Sequence, residues 1–122
     1  MAKGGTADIQ CVLFDWDGTL LDSYAADSTA YLAMFREMGI PWGLEELALH
    51  YSPDWYRVYE AAGLPQTRWS DADRAWRKEY ASHRPRLVRS ARKVLRWVSQ
   101  KYRLALVTSG DRDRVTRQLP QP

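Results

Sequence analysis

Two short turns carry the residues of this chain whose types and spacing could do chemistry. In the first, Asp15 and Asp17 stand one residue apart and Gly18 follows. Where a strand unwinds into a turn, carboxylates at that spacing can converge near a divalent cation or a phosphoryl group. Gly18 permits a tight turn and close backbone approach. One carboxylate can attack phosphorus to form an aspartyl-phosphate, while its neighbour protonates the leaving oxygen and later activates water. The second turn, Thr108-Ser109-Gly110, offers a hydroxyl and backbone N–H groups at an expected helix start, which together suit an anionic phosphate. Taken singly, Asp-Gly and Thr-Ser-Gly are also common plain turns.

Each turn follows an apolar run that has to position it. Residues 9–14, Ile-Gln-Cys-Val-Leu-Phe, are short, β-prone and almost wholly apolar, as expected of a strand buried on both faces in a parallel sheet. Cys11 within it reads as a buried core thiol with no catalytic part. Ser90 is expected to cap a helix whose Ala91, Val94, Leu95 and Val98 follow helical spacing, and this helix feeds a second strand, Leu104 to Val107. In open parallel sheets, ligands bind at the carboxyl ends of strands, so the two turns are candidates for one site. From Asp111 the chain is charged and helix-compatible until Pro120 and Pro122 forbid continuation.

Between the two runs, from Tyr24 to about Arg84, helices alternate with Gly and Pro breaks. Tyr31, Leu32, Phe35 and Met38 give one helix an apolar stripe ending at Gly39-Ile40-Pro41. A second is expected over Leu44 to His50. Ser52 and Pro53 supply an N-cap and first-turn proline for a third, closed by Gly63-Leu64-Pro65. A fourth is expected from Ser70, with Asp71 and Asp73 in its first turn. Trp55, Tyr56, Tyr59, Trp69 and Trp76 read as packing these helices together. His50 and His83 are isolated and read as surface or packing residues.

With 122 residues, 45% hydrophobic and 27% charged, the chain has the composition of one globular unit, with room for an inserted lobe. A single cysteine excludes an internal disulfide, no apolar run is long enough to cross a bilayer, and no signal sequence opens the chain. The expected location is cytoplasmic. Residues 1–83 hold 7 Lys and Arg against 13 Asp and Glu, net −6, whereas residues 84–122 hold 11 against 2, net +9. Because Arg86, Arg89, Lys93 and Arg96 fall among apolar residues at helical spacing, the basic excess reads as a solvated helix face, and no nucleic-acid role is expected.

The string Asp15-Trp16-Asp17-Gly18-Thr19-Leu20-Leu21-Asp22-Ser23, directly after an apolar strand, resembles the first motif of the haloacid dehalogenase superfamily. The resemblance implies that Asp15 is the nucleophile and a magnesium ligand. It also implies that Asp17 is the general acid/base and binds the Mg²⁺ through its backbone carbonyl. An acid at Asp17 is similar to the phosphatase and phosphomutase branches. Leu104 to Gly110 is similar to the second motif, which implies that Thr108 binds the transferring phosphoryl group, with Gly18, Ser109 and Gly110 around it. The layout resembles phosphoglycolate phosphatase-like and β-phosphoglucomutase-like enzymes. It implies an α/β fold: a partial Rossmann-like core from 1–23 and 85–122, with parallel strands around 9–14 and 104–107, and an inserted α-helical cap over 24–84 that closes on the site and selects a small phosphorylated metabolite.

The family's third motif, a Lys, and its fourth, a late acidic group, have no counterpart here, and Asp111 and Asp113 read as first-turn helix residues. The chain is therefore expected to be C-terminally truncated. Two parallel strands leave edges and apolar surface in water, so it is also expected to be marginally stable or aggregation-prone alone. The leading expectation is a magnesium-dependent phosphatase working through an aspartyl-phosphate. The alternatives are a non-catalytic remnant and a phosphomutase.

Overall fold

The computed structural model describes residues 8–120. The chain divides into two compact units, one formed by the residues up to Asp22 together with those from Arg86 on, the other by Ser23–Pro85. The polar opening before Asp8 and the stop at Pro122 lie outside the described residues.

The first unit holds a parallel pair, β1 (Cys11–Phe14) and β4 (Arg103–Leu106), in the register Cys11↔Arg103 to Phe14↔Leu106. Between them in sequence come β2 (Leu21–Asp22) and β3 (Arg86–Leu87), which form a short antiparallel ribbon, and helix α5 (Ala91–Ser99); α6 (Arg112–Gln118) follows β4. The core consists of Trp16, Leu20, Leu21, Ala91 and Val115, with Phe14, Leu87, Val88, Leu95 and Leu106 against it. Phe14 and Leu106 are partners in register, so the sheet face they share is the covered one.

The other face corrects the expectation for residues 9–14. Leu13 is 64% exposed, its partner Ala105 is exposed, and Cys11 is an exposed free thiol, not a buried one. A strand buried on both faces needs helices on both sides of its sheet, and among the described residues only one side is covered. The apolar stripe of α5 is narrower than its spacing suggests, because Ala91 and Val98 are buried while Val94 is exposed. Ser90 is the N-cap residue but makes no side-chain capping bond.

The helical unit contains α1 (Tyr24–Met38), α2 (Leu44–His50), α3 (Trp55–Ala61) and α4 (Trp69–Tyr80), the last preceded by a 3-10 turn at Gln66–Arg68. Helix α1 ends as its sequence predicts: Gly39 takes a left-handed conformation at φ 73°, and the Ile40 N–H donates to the Phe35 carbonyl at 2.8 Å. This closure turns Ile40 into the core with Tyr31, Met34, Phe35, Met38, Val58 and Tyr59. Helix α3 starts at Trp55, two residues after the expected first-turn proline. The Asp54 carboxylate is its cap and accepts the Tyr56 N–H at 3.2 Å, while the Ser52 hydroxyl accepts the Asp54 N–H.

Helix α4 starts at Trp69, one residue before Ser70, with Asp71 in its first turn. Asp73 is not a helix-terminus charge; its carboxylate accepts the hydroxyls of Tyr59 at 2.7 Å and Tyr56 at 3.3 Å. The aromatic residues pack the helices, as their types imply. Tyr56 stacks on Trp69 with centroids 4.8 Å apart, and Trp76 stacks on Tyr80 at 4.6 Å while its indole N–H donates to Asp27. Burial raises the hydroxyl pKa values of Tyr31 and Tyr59 far above the ordinary tyrosine value, with Asp27 adding to the effect at Tyr31 and Asp73 at Tyr59. No described helix is long and apolar enough to cross a membrane.

Candidate functional site at the ends of the parallel strands

The chain leaves β1 through a turn built on one carbonyl. The Trp16 oxygen accepts the N–H groups of Thr19, Leu20 and Leu21 at 3.2, 3.0 and 3.0 Å, and the Gly18 N–H returns to the Leu21 oxygen at 2.9 Å. Gly18 makes this closure possible by adopting φ 75°, where a side chain would be strained. The Trp16 ring is 1% exposed in the core, and its indole N–H donates to Gln118 Oε1 at 3.1 Å. With Trp16 anchored inward, the flanking carboxylates stand on the outside of the turn. Asp15 is exposed and accepts the Thr19 hydroxyl at 3.2 Å.

Asp17 has a stronger partner. Arg114 on α6 grips its carboxylate with both ends of the guanidinium fork, Nη1 to Oδ1 at 3.1 Å and Nη2 to Oδ2 at 2.8 Å. The Arg114 side chain is 12% exposed and that of Asp17 33%. A bidentate, partly buried pair of this kind contributes on the order of 1–2 kcal/mol. Gln118 Oε1 accepts Arg114 Nη1 at 2.9 Å as well as the Trp16 indole, and so braces the fork from behind.

The second turn meets the first through this pair. The Val107 N–H donates to the Phe14 carbonyl at 2.9 Å, so β1 and β4 finish side by side, with Asp15 and Thr108 the next residues of interest on each. Thr108 Oγ1 accepts the Gly110 N–H at 3.0 Å, which commits that amide within the turn and leaves the threonine its own proton to donate. Ser109 is exposed. A Cβ at Gly110 would collide with Arg114 Nη2 and lie 3.0 Å from Val115 Cγ2 and 3.1 Å from Asp17 Oδ2. The missing side chain at Gly110 is therefore what lets the Asp17–Arg114 pair lie against the second turn. Asp111 caps α6 by accepting the Arg114 N–H at 3.1 Å, and Asp113 lies in its first turn.

The structure thus brings Asp17, Thr108 and Gly110 into one connected patch and gives Asp15 and Asp17 separate partners instead of a shared one. Sequence reasoning missed Arg114 and Gln118. A signal was present: Val115 is the one apolar residue of α6, so it marks the inward face; Gln118 adjoins it at i+3, and Arg114 adjoins Gln118 at i−4. Among the described residues no group of three or more His, Cys, Asp or Glu could hold a metal ion. Magnesium, however, keeps several waters and takes one or two carboxylates plus phosphate oxygens. The exposed carboxylate of Asp15 fits that demand, whereas the Asp17 carboxylate is already held by Arg114.

A profile of haloacid dehalogenase-like hydrolases matches residues 12–121. The 6-phosphogluconate phosphatase of Escherichia coli K12 is 51% identical over 39 residues, which cover 32% of this chain and 18% of that protein. A haloacid dehalogenase-like hydrolase from Streptococcus pneumoniae, SP0104, superposes with a TM-score of 0.72 at 24% identity, over 90% of this chain and 54% of that one. The hydrolase YfnB of Bacillus subtilis, in a magnesium-bound structure, superposes with a TM-score of 0.59 at 21% identity, over 91% and 58%. At these identities the two structures establish the fold, and the chain spans little more than half of their length.

Proposed function

The chain belongs to the haloacid dehalogenase-like hydrolase family, and we propose that it carries the nucleophile of a magnesium-dependent phosphatase of small phosphorylated metabolites. The observation that carries this reading is the pairing of β1 with β4, which finishes the two strands together with an exposed Asp15 after one and Thr108 after the other. The phosphatase among its relatives and the magnesium bound by YfnB support the same chemistry. Asp15 attacks phosphorus and forms the aspartyl-phosphate. Asp17 protonates the leaving oxygen and then takes a proton from the attacking water. The Thr108 hydroxyl donates to a phosphoryl oxygen, with Gly18, Ser109 and Gly110 lining the approach. When bound, Mg²⁺, held by Asp15 and the Asp17 carbonyl, offsets the repulsion between the carboxylate and the phosphate. The helical unit serves as the cap that selects the substrate.

With Mg²⁺ and an aryl phosphate, Asp15→Asn abolishes turnover, a loss of at least about 10³-fold, because the amide oxygen is a poor nucleophile. Hydrolysis that survives the substitution refutes the mechanism. A second reading is favoured by the hold of Arg114 on Asp17: the 122 residues bind phosphate without turning it over. A wild-type chain that binds inorganic phosphate yet is inert beside an active longer relative has that role.

A further inference from the structure

Both oxygens of the Asp17 carboxylate accept from Arg114, so in this arrangement neither is directed at a leaving group. Arg114 Nη2 lies against Gly110, whose N–H is bonded to the Thr108 hydroxyl oxygen. The guanidinium thus sits one residue from the hydroxyl that receives phosphate in the reading above, on which the present inference rests. A planar fork that fits two carboxylate oxygens fits two phosphate oxygens equally well, and a phosphate dianion carries more charge than Asp17.

We propose that Arg114 is a phosphate-binding residue that exchanges partners: the Asp17 carboxylate holds it in the empty site, and an arriving phosphate takes the fork and releases Asp17 for proton transfer. Gln118 makes the exchange a local one. Its Oε1 stays bonded to Arg114 Nη1 and to the Trp16 indole, so the guanidinium changes acceptors while its anchor to α6 persists. The arrangement couples the availability of the acid/base to the presence of a phosphoryl group. Binding a phosphate then has two consequences, recognition by Arg114 and exposure of the Asp17 oxygens.

The test is a thermodynamic cycle on the 122-residue chain, with inorganic phosphate as the probe, no metal and no turnover. Affinity is followed by calorimetry or by NMR shifts at fixed ionic strength. Asp17→Asn removes the competitor and tightens phosphate binding by about 10-fold while Arg114 is present. In an Arg114→Met background the same change brings only about 2-fold, the share that follows from deleting one nearby negative charge in a well-solvated setting. Arg114→Lys keeps the charge and loses the fork, so it gives the intermediate result and covers the case in which the methionine variant does not fold.

An equal gain from Asp17→Asn in all three backgrounds overturns the exchange. So does phosphate binding by Arg114→Met as tight as that of the wild type, or no phosphate binding by Asp17→Asn at tens of millimolar. The catalytic reading fails separately: a chain inert on aryl phosphate that still shows the non-additive cycle refutes turnover alone, and an active chain with an additive cycle refutes the exchange alone.

Discussion

The two units of this chain solve the burial problem with unequal success. The helical unit closes its own core, with Tyr24 at 71% and Leu49 at 78% exposure left outside it: Ala30, Met34, Val58 and Ala72 have no exposed surface, and Phe35 retains 1%. Each helix satisfies its backbone internally, so four of them need only bring apolar stripes together. The α/β unit leaves Leu13 at 64%, Val107 at 58% and Trp97 at 59% exposed, and its parallel sheet has two strands among the described residues. A strand satisfies its backbone only through neighbours, so a sheet of two has an open edge on each side.

The sharpest way to break this contrast is to attack the unit that closes itself. Phe35→Ala opens a cavity in the helical core and costs about 3–5 kcal/mol in chemical denaturation. A loss under 1 kcal/mol shows that this core is loosely packed. Gly110→Ala strains the α/β unit by pushing on Arg114 and Val115, and costs about 1–3 kcal/mol in the same experiment. Its effect is relieved when Arg114 is also shortened to alanine; an unrelieved loss places the strain elsewhere.

Alkaline pH separates the units by another route. The folded-state pKa values of Tyr31 and Tyr59 are raised, so folded chains retain protons that unfolded chains release above about pH 10. The helical unit consequently loses stability as pH rises beyond that point, and Tyr31→Phe flattens the dependence in thermal melts followed by circular dichroism. An unchanged slope means that the hydroxyl ionises freely. The smallest expected effect on stability is that of Leu13→Lys, within about 0.5 kcal/mol, because the residue is already exposed. The same change lowers self-association in sedimentation velocity by placing a charge beside open strand edges. Unaltered association dissociates the exposed face from aggregation.

Much of this architecture was legible from residue types. The helices between Tyr24 and Arg84, their Gly39 and Gly63 stops, the parallel strands and the two turns all follow from periodicity and punctuation. What was not legible falls into four physical kinds. The ribbon Leu21–Asp22 with Arg86–Leu87 is too short to show any period. The exposure of Cys11 and Leu13 depends on what lies over the sheet, which an apolar run cannot report. The pairing of Asp17 with Arg114 spans 97 positions, and a charged residue in a charged helix looks solvated until its neighbour Val115 is seen to face inward. Asp54 displaced Ser52 as a cap for a simpler reason: adjacent candidates compete, and only backbone geometry selects between them.

The ribbon has a consequence for how such a chain can change. Asp22 and Arg86 face each other in register, so the helical unit is spliced into the α/β unit at two points held about 5 Å apart, one strand spacing. Any segment whose own ends meet at that separation can occupy the same position without adding a loop-closure penalty to the unit that receives it. The helical unit is in this way an interchangeable part, and it can be replaced while the carboxylates of Asp15 and Asp17 keep their places.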